Sequence, residues 1–147
     1  MKNCELHIEP EALEVMVNDA EDSHPNECCG FFFGTEDDAL RKVSVCRMVK
    51  NSKEGDQRRR FQIEPLDYMK AERFALDQGL TFLGVYHSHP EHPAIPSEHD
   101  RSQAMPFFSY IILSVYKGEL KDIRSYRLNN DRKFEEEKII NLKITNS

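Results

Sequence analysis

The chain reads as a single α/β domain in which a curved mixed sheet is flanked by a helix on either side. Three observations predict it. Two stretches repeat apolar residues at helical spacing, and five short apolar runs are each bounded by turn residues. The length, 147 residues, is that of one ordinary domain, which can bury roughly 68–70% of the surface its unfolded chain exposes.

The first helix opens at Glu9-Pro10-Glu11, carries Leu13, Met16, Val17 and Ala20 at three- and four-residue spacing, and ends at Ser23-His24-Pro25. Residues 28–33 form an apolar run closed by Gly34, and residues 43–49 are rich in β-branched side chains, so both read as strands of a hairpin turning around residues 35–39. Residues 51–60 have the composition of an exposed loop. A second helix follows over residues 65–78, with Leu66, Met69, Phe74 and Leu76 as its apolar positions and Gly79 as its stop. Residues 80–86 make a strand that ends where two histidines begin. After a Pro-rich loop, residues 97–105 read as a short helix stopped before Pro106, and residues 107–116, the most apolar run in the chain, as the central strand. Lys117-Gly118-Glu119 turns into a strand over residues 120–128. A last segment, residues 134–144, reads as a strand, although Glu135-Glu136-Glu137-Lys138 also suits a helix.

Composition narrows the functions. Apolar residues make up 39% of the chain and aromatics 10%, with both charge signs spread along it, which describes a globular protein rather than a disordered one. A formal net charge of -6 repels phosphate backbones and argues against nucleic acid as a partner. No run approaches the ~20 apolar residues a membrane helix needs, and the first residues lack the apolar core of a signal peptide, so a cytoplasmic location is expected. Of the cysteines at 4, 28, 29 and 46, the adjacent Cys28 and Cys29 point to opposite faces of any strand, and free thiols fit better than disulfides.

The chemistry centres on His87-Ser88-His89. Side chains on a strand alternate faces, so both imidazoles project to one side and can reach one ion. Ser97 follows after seven residues and Asp100 after two more, one turn into the short helix, where Asp100 can add a carboxylate oxygen. Two nitrogens and one oxygen leave a fourth tetrahedral position open, the mark of a catalytic zinc site, in which bound water has its pKa lowered to about 7. Glu27, at the head of the 28–33 strand, is placed to take that water's proton if this strand neighbours the one leading to His87.

Glu27, His87-Ser88-His89-Pro90, Ser97 and Asp100 together resemble the JAMM (MPN-plus) metalloproteases, whose His-x-His, seven-residue, Ser, two-residue, Asp spacing is matched in full. His24-Pro25-Asn26-Glu27-Cys28-Cys29-Gly30, Phe61-Gln62-Ile63-Glu64-Pro65 and Gly84-Val85-Tyr86 look like the short bacterial members, and the resemblance covers roughly residues 6–128. It implies the MPN fold and one zinc ion per chain on His87, His89 and Asp100. It further implies Glu27 as general acid/base and Ser97 as a donor to the oxyanion. The implied activity is hydrolysis of a peptide or isopeptide bond at the C-terminal tail of a ubiquitin-like sulfur-carrier protein, from which such enzymes remove a cysteine or other adduct. General deubiquitinase-like isopeptidase activity is the runner-up. A non-catalytic MPN binding scaffold is a third reading, opposed by the presence of every ligand.

Each feature also has a plainer account. Ser97-Glu98-His99-Asp100 is a good helix cap on its own. His92 and His99 suit solvent-facing positions, and His7 and His24 are ordinary. Cys29 shares the face of Glu27 and thus approaches the metal, yet a small buried core residue is the simpler reading. Arg58-Arg59-Arg60 is most simply a charged loop end. A zinc deaminase needs His-x-Glu with Pro-Cys-x-x-Cys and a zincin needs His-Glu-x-x-His, and the chain has neither.

Overall fold

Proline opens both long helices, where its missing N–H falls on a position that has no helical acceptor anyway. In the computed structural model, which describes residues 5–140 and 142, these helices are α1 (Pro10–Ser23) and α2 (Pro65–Gln78), and a short α3 spans Glu98–Gln103. The strands are β1 (Glu5–Ile8), β2 (Cys29–Glu36), β3 (Leu40–Val49), β4 (Thr81–Pro90), β5 (Ser109–Tyr116), β6 (Glu119–Leu128), β7 (Phe134–Glu137) and β8 (Ile139–Ile140). They form one mixed sheet in the order β7-β6-β5-β4-β2-β3-β1-β8. The pairs β4–β5, β1–β3 and β1–β8 are parallel and the others antiparallel.

The first and last strands in that order are consecutive in the chain, with only Lys138 between them. Residues two apart lie at most ~7 Å from each other, so the sheet must roll until its two edges nearly meet. On the β8 side of that junction the Leu6 amide donates to Lys138 O at 2.9 Å, the start of the parallel β1–β8 pairing. The curvature expected from the sequence is therefore present, and its two edges fall on the last segment, which reads as a strand although part of it also suits a helix. Beyond residue 140 only Leu142 of that segment is described; Ile144 and Cys4 lie outside the described residues.

Each face of the sheet has its own core. On one, α1 buries Ala12, Leu13, Met16 and Ala20 against Leu6, Phe32, Val43, Tyr86 and Leu113. On the other, α2 rests on Phe31, Phe33 and Val85 through Ala71 and Ala75, with Tyr68 and Phe74 beside them. The expected apolar face of α2 is corrected here. Phe74 packs on the sheet as expected, but Leu66, Met69 and Leu76 are 57%, 64% and 79% exposed, and alanines take the places between. Alanines let the helix lie close on an aromatic surface, where larger side chains would hold it away.

Among the differences from expectation are two strand ends and one strand's place in the sheet. Gly34 does not close β2, which runs on to Glu36; the register with β3 shifts at Phe33/Gly34, a bulge at which a Cβ would stand 1.7 Å from Lys42 O. Strand β4 continues through both histidines to Pro90. The most apolar strand, β5, is third from one edge, while β4 and β2 occupy the centre; its composition reflects burial on both faces rather than central position. Strand β1 carried no sequence signal, being only four residues long and paired in parallel with the distant β3. Cys28, Cys29 and Cys46 are free thiols, as expected. No helix among the described residues is long and apolar enough to cross a membrane.

Candidate metal centre

Alternation along β4 directs Val85, His87 and His89 to the α2 face, and the last two rings stand 5.1 Å apart. The chain then crosses over to the parallel strand β5, and this crossover carries α3 above the histidines. Asp100 arrives with Oδ2 at 3.2 Å from His89 Nε2 and Oδ1 at 3.8 Å from His87 Nε2. Ser97 caps α3 reciprocally: its Oγ accepts from the Asp100 amide at 3.0 Å, and its own amide donates to Asp100 Oδ2 at 2.8 Å. The structural reading of Ser97 thus holds alongside any chemical one, since accepting that bond leaves the hydroxyl proton free to donate.

Glu27 stands just ahead of β2, whose register sets Cys29 opposite His87. Its carboxylate is buried, with Oε1 at 3.7 Å from His87 Nδ1. The adjacency that the sequence left open is therefore met. The polar loop after β3 holds this residue: the Glu27 amide donates to Gln57 O at 2.7 Å, and Asn51 Nδ2 donates to Glu27 O at 3.1 Å. Phe61 of the same loop stacks on the His87 ring at 4.5 Å. Ser88, turned to the other face, accepts from the Cys28 amide at 2.8 Å and ties β2 to β4 beside Glu27. Sequence reasoning passed over Asn51, Phe61 and Ser88, and only the Phe61-Gln62-Ile63-Glu64-Pro65 stretch hinted at one of them.

His87, His89 and Asp100 form a group that can hold a metal, with one ligand atom from each within 4.8 Å of the others. The protonation pattern fits that use. His89 Nδ1 lies 2.9 Å from Pro93 O, and because a carbonyl only accepts, Nδ1 must carry the proton and the neutral ring's lone pair sits on Nε2. That lone pair faces a carboxylate, an arrangement that needs a cation or an extra proton between the two. On the buried His87 ring, Nδ1 has no hydrogen-bond partner. Burial pushes the His87 pKa down, but the Asp100 carboxylate and then Glu27 outweigh it, and the net shift is upward. Burial would raise Asp100, yet the His87 charge, the His89 hydrogen bond and the Ser97 amide hold it well below the carboxylate range. Two nitrogens and one oxygen suit zinc with an open fourth position.

The remaining candidates stand apart from this group. Cys29 turns its thiol to Val49 O at 3.5 Å, and burial, followed by Asp19 and Glu27, pushes its pKa up to about 12; it is the core residue that the simpler reading favoured. His24 pairs with Glu91 at 2.7 Å, His92 is exposed, and Arg58 bonds Asp56 in the loop. His99 lines a cavity of about 430 Å³ that opens beside His87 and Asp100, walled by Phe61, Tyr68, Tyr110, Met105 and Phe134.

A His-His-Asp group with a glutamate beside it stands on a rolled mixed sheet of the JAB1/MPN fold. The chain belongs to the prokaryotic homologs of the JAB domain, whose family model matches residues 9–129. It is 36% identical to the desampylase of Pyrococcus furiosus over 78% of this chain and 75% of that one. The CysO-cysteine peptidase of Mycobacterium tuberculosis is 26% identical over 84% of this chain and 82% of its own length. Among solved structures, the solution structure of a Desulfitobacterium hafniense protein aligns with a TM-score of 0.80 at 29% identity, covering 92% of this chain and 91% of that one.

Proposed function

We propose that this JAMM-type peptidase holds one zinc ion on His87, His89 and Asp100 and hydrolyses a peptide or isopeptide bond at the C-terminal tail of a ubiquitin-like sulfur-carrier protein. The observation that carries the reading is the convergence of these three ligands with the Glu27 carboxylate 3.7 Å from His87, in a chain whose relatives are named a desampylase and a CysO-cysteine peptidase. When bound, the ion supplies Lewis acidity and lowers the pKa of water to about 7. Glu27, held by Gln57 and Asn51, takes a proton from the attacking water and returns it to the leaving nitrogen, so that one water is consumed and an acid and an amine are released. A positioned base of this kind typically contributes on the order of a hundred- to ten-thousand-fold. The Ser97 hydroxyl donates to the carbonyl oxygen as negative charge develops there, a role worth ~3 kcal/mol in comparable sites. The aromatic cavity beside His87 accepts a side chain of the substrate near the scissile bond.

The test mixes the zinc-loaded protein with sulfur-carrier proteins bearing C-terminal extensions, and in parallel with ubiquitin chains, and follows their masses. Loss of the extension with ubiquitin chains intact is the expected result. Cleavage of the chains alone would support the general deubiquitinase, and no cleavage of either by protein with full metal content would return the scaffold reading.

A further inference from the structure

Asp100 reaches the metal group on the least anchored element of the site. His87 and His89 lie on β4, which is paired with both β2 and β5. By contrast α3 has six residues, none of them buried. A helix that short does not hold itself together in water, and no apolar side chain of its own fixes where it lies. Its first turn is closed by the reciprocal Ser97–Asp100 bonds. Its last turn is gripped from a distant part of the chain: Arg132 Nη2 donates to Arg101 O at 3.1 Å and to Ala104 O at 3.2 Å, while Arg101 Nη1 donates back to Arg132 O at 3.2 Å. Arg132 thus sets a cation on the carbonyl end of the helix, where orphaned acceptors and the negative end of the dipole both favour it. It does so from the β6–β7 turn at a φ of 56°, a backbone region that strains arginine and suits glycine. The same turn leads into Phe134, which lines the cavity beside the metal group together with Met105 and Gln103.

We propose that Arg132 is a positioning residue: by holding the C-terminal carbonyls of α3 it sets where Asp100 stands relative to His87 and His89, and so tunes metal affinity from a turn that contains no ligand. The affinity part of this rests on the zinc reading above; the anchoring of α3 does not. The experiment compares the full chain with Arg132→Gly and Arg132→Lys by zinc competition against a chromophoric chelator, hydrogen exchange at the Asp100, Arg101 and Ala104 amides, and thermal midpoint. Arg132→Gly relieves the backbone, so its midpoint should hold or rise while zinc affinity falls about tenfold, as for other residues that orient a ligand, and the three amides exchange faster. Arg132→Lys, which keeps the charge and a donor, should recover part of both losses. Unchanged affinity together with unchanged exchange in Arg132→Gly overturns the proposal. Should the parent chain bind no zinc, the functional reading fails, and the exchange rates alone decide whether Arg132 anchors α3.

Discussion

Glu27 and His87 share a buried contact, and in the proposed site their side chains separate catalysis from metal binding. Glu27 is not among the group that can hold the metal, so Glu27→Gln should lower turnover on the order of a hundred- to ten-thousand-fold while metal content stays near one zinc per chain; His89→Ala should lose both. Metal analysis beside the rate distinguishes the two, and a Glu27→Gln protein with parental turnover would remove the base role. In the proposed zinc site, protons compete with the ion at His87. Its pKa is raised in the folded chain, so the metal-free protein gains stability from the charged ring below the ordinary imidazole value of about 6.5 and loses it as pH rises through the folded value. Asp100, depressed, contributes above the ordinary carboxylate value and loses that contribution only as pH falls through its own. The metal-free thermal midpoint should therefore be highest between about pH 4 and 6.5 as far as these two groups decide it. Zinc affinity should climb as pH is raised past that window, because binding displaces the His87 proton. A zinc titration whose midpoint does not move with pH would contradict this.

Short elements do disproportionate work here, and α3 is the clearest case. Ser97 both caps it and has a proton left to donate, and substitution can separate the two functions. Ser97→Ala should cost ~1 kcal/mol through loss of the cap and lower turnover further than that loss accounts for. Ser97→Asp should restore the cap, since a carboxylate accepts the Asp100 amide, but cannot donate to an oxyanion. Recovery of full turnover in Ser97→Asp would reduce Ser97 to a cap. At the β4–β5 pairing the constraint is steric. A Cβ on Gly84 would meet Ser109 O at 1.9 Å and Phe32 Cζ at 2.6 Å, so the strand that delivers the histidines can pair with β5 only because that position lacks a side chain.

Across the whole molecule, Arg41 joins parts of the sheet that are distant in sequence. From β3 its guanidinium donates to Ser109 Oγ at 2.9 Å, Leu83 O at 3.3 Å and Phe107 O at 2.8 Å, and pairs with Glu36 at 2.7 Å. It therefore ties the beginnings of β4 and β5 to β3 across the rolled sheet. Arg41→Met keeps much of the apolar stem but leaves the carbonyls without donors, at a cost of about 3 kcal/mol, read as a lower urea midpoint with an unchanged slope. A midpoint equal to that of the parent would mean that water satisfies those groups. The roll also explains why the last strands belong to opposite edges: β7 extends β6, and two residues later β8 extends β1.

How much was legible beforehand follows from the range of the interactions. Helix starts at Pro10 and Pro65, the Ser97 cap and the paired faces of His87 and His89 depend on neighbours within a turn or a strand, so the sequence by itself determined them, along with the ligand spacing. Most of the buried face of α2 did not follow, apart from Phe74, because Leu66 and Leu76 are as apolar as any core residue and only the aromatic surface beneath the helix selects Ala71 and Ala75. Nor did β1 or the division of the last segment, whose partners lie far along the chain. Within the site, the nearness of Glu27 to His87, the stacking of Phe61 and the grip of Arg132 on α3 are decided by strand register and crossover geometry. Those are properties of the assembled sheet, since a local stretch of sequence specifies which groups can bind or donate but not which distant partner will stand opposite them.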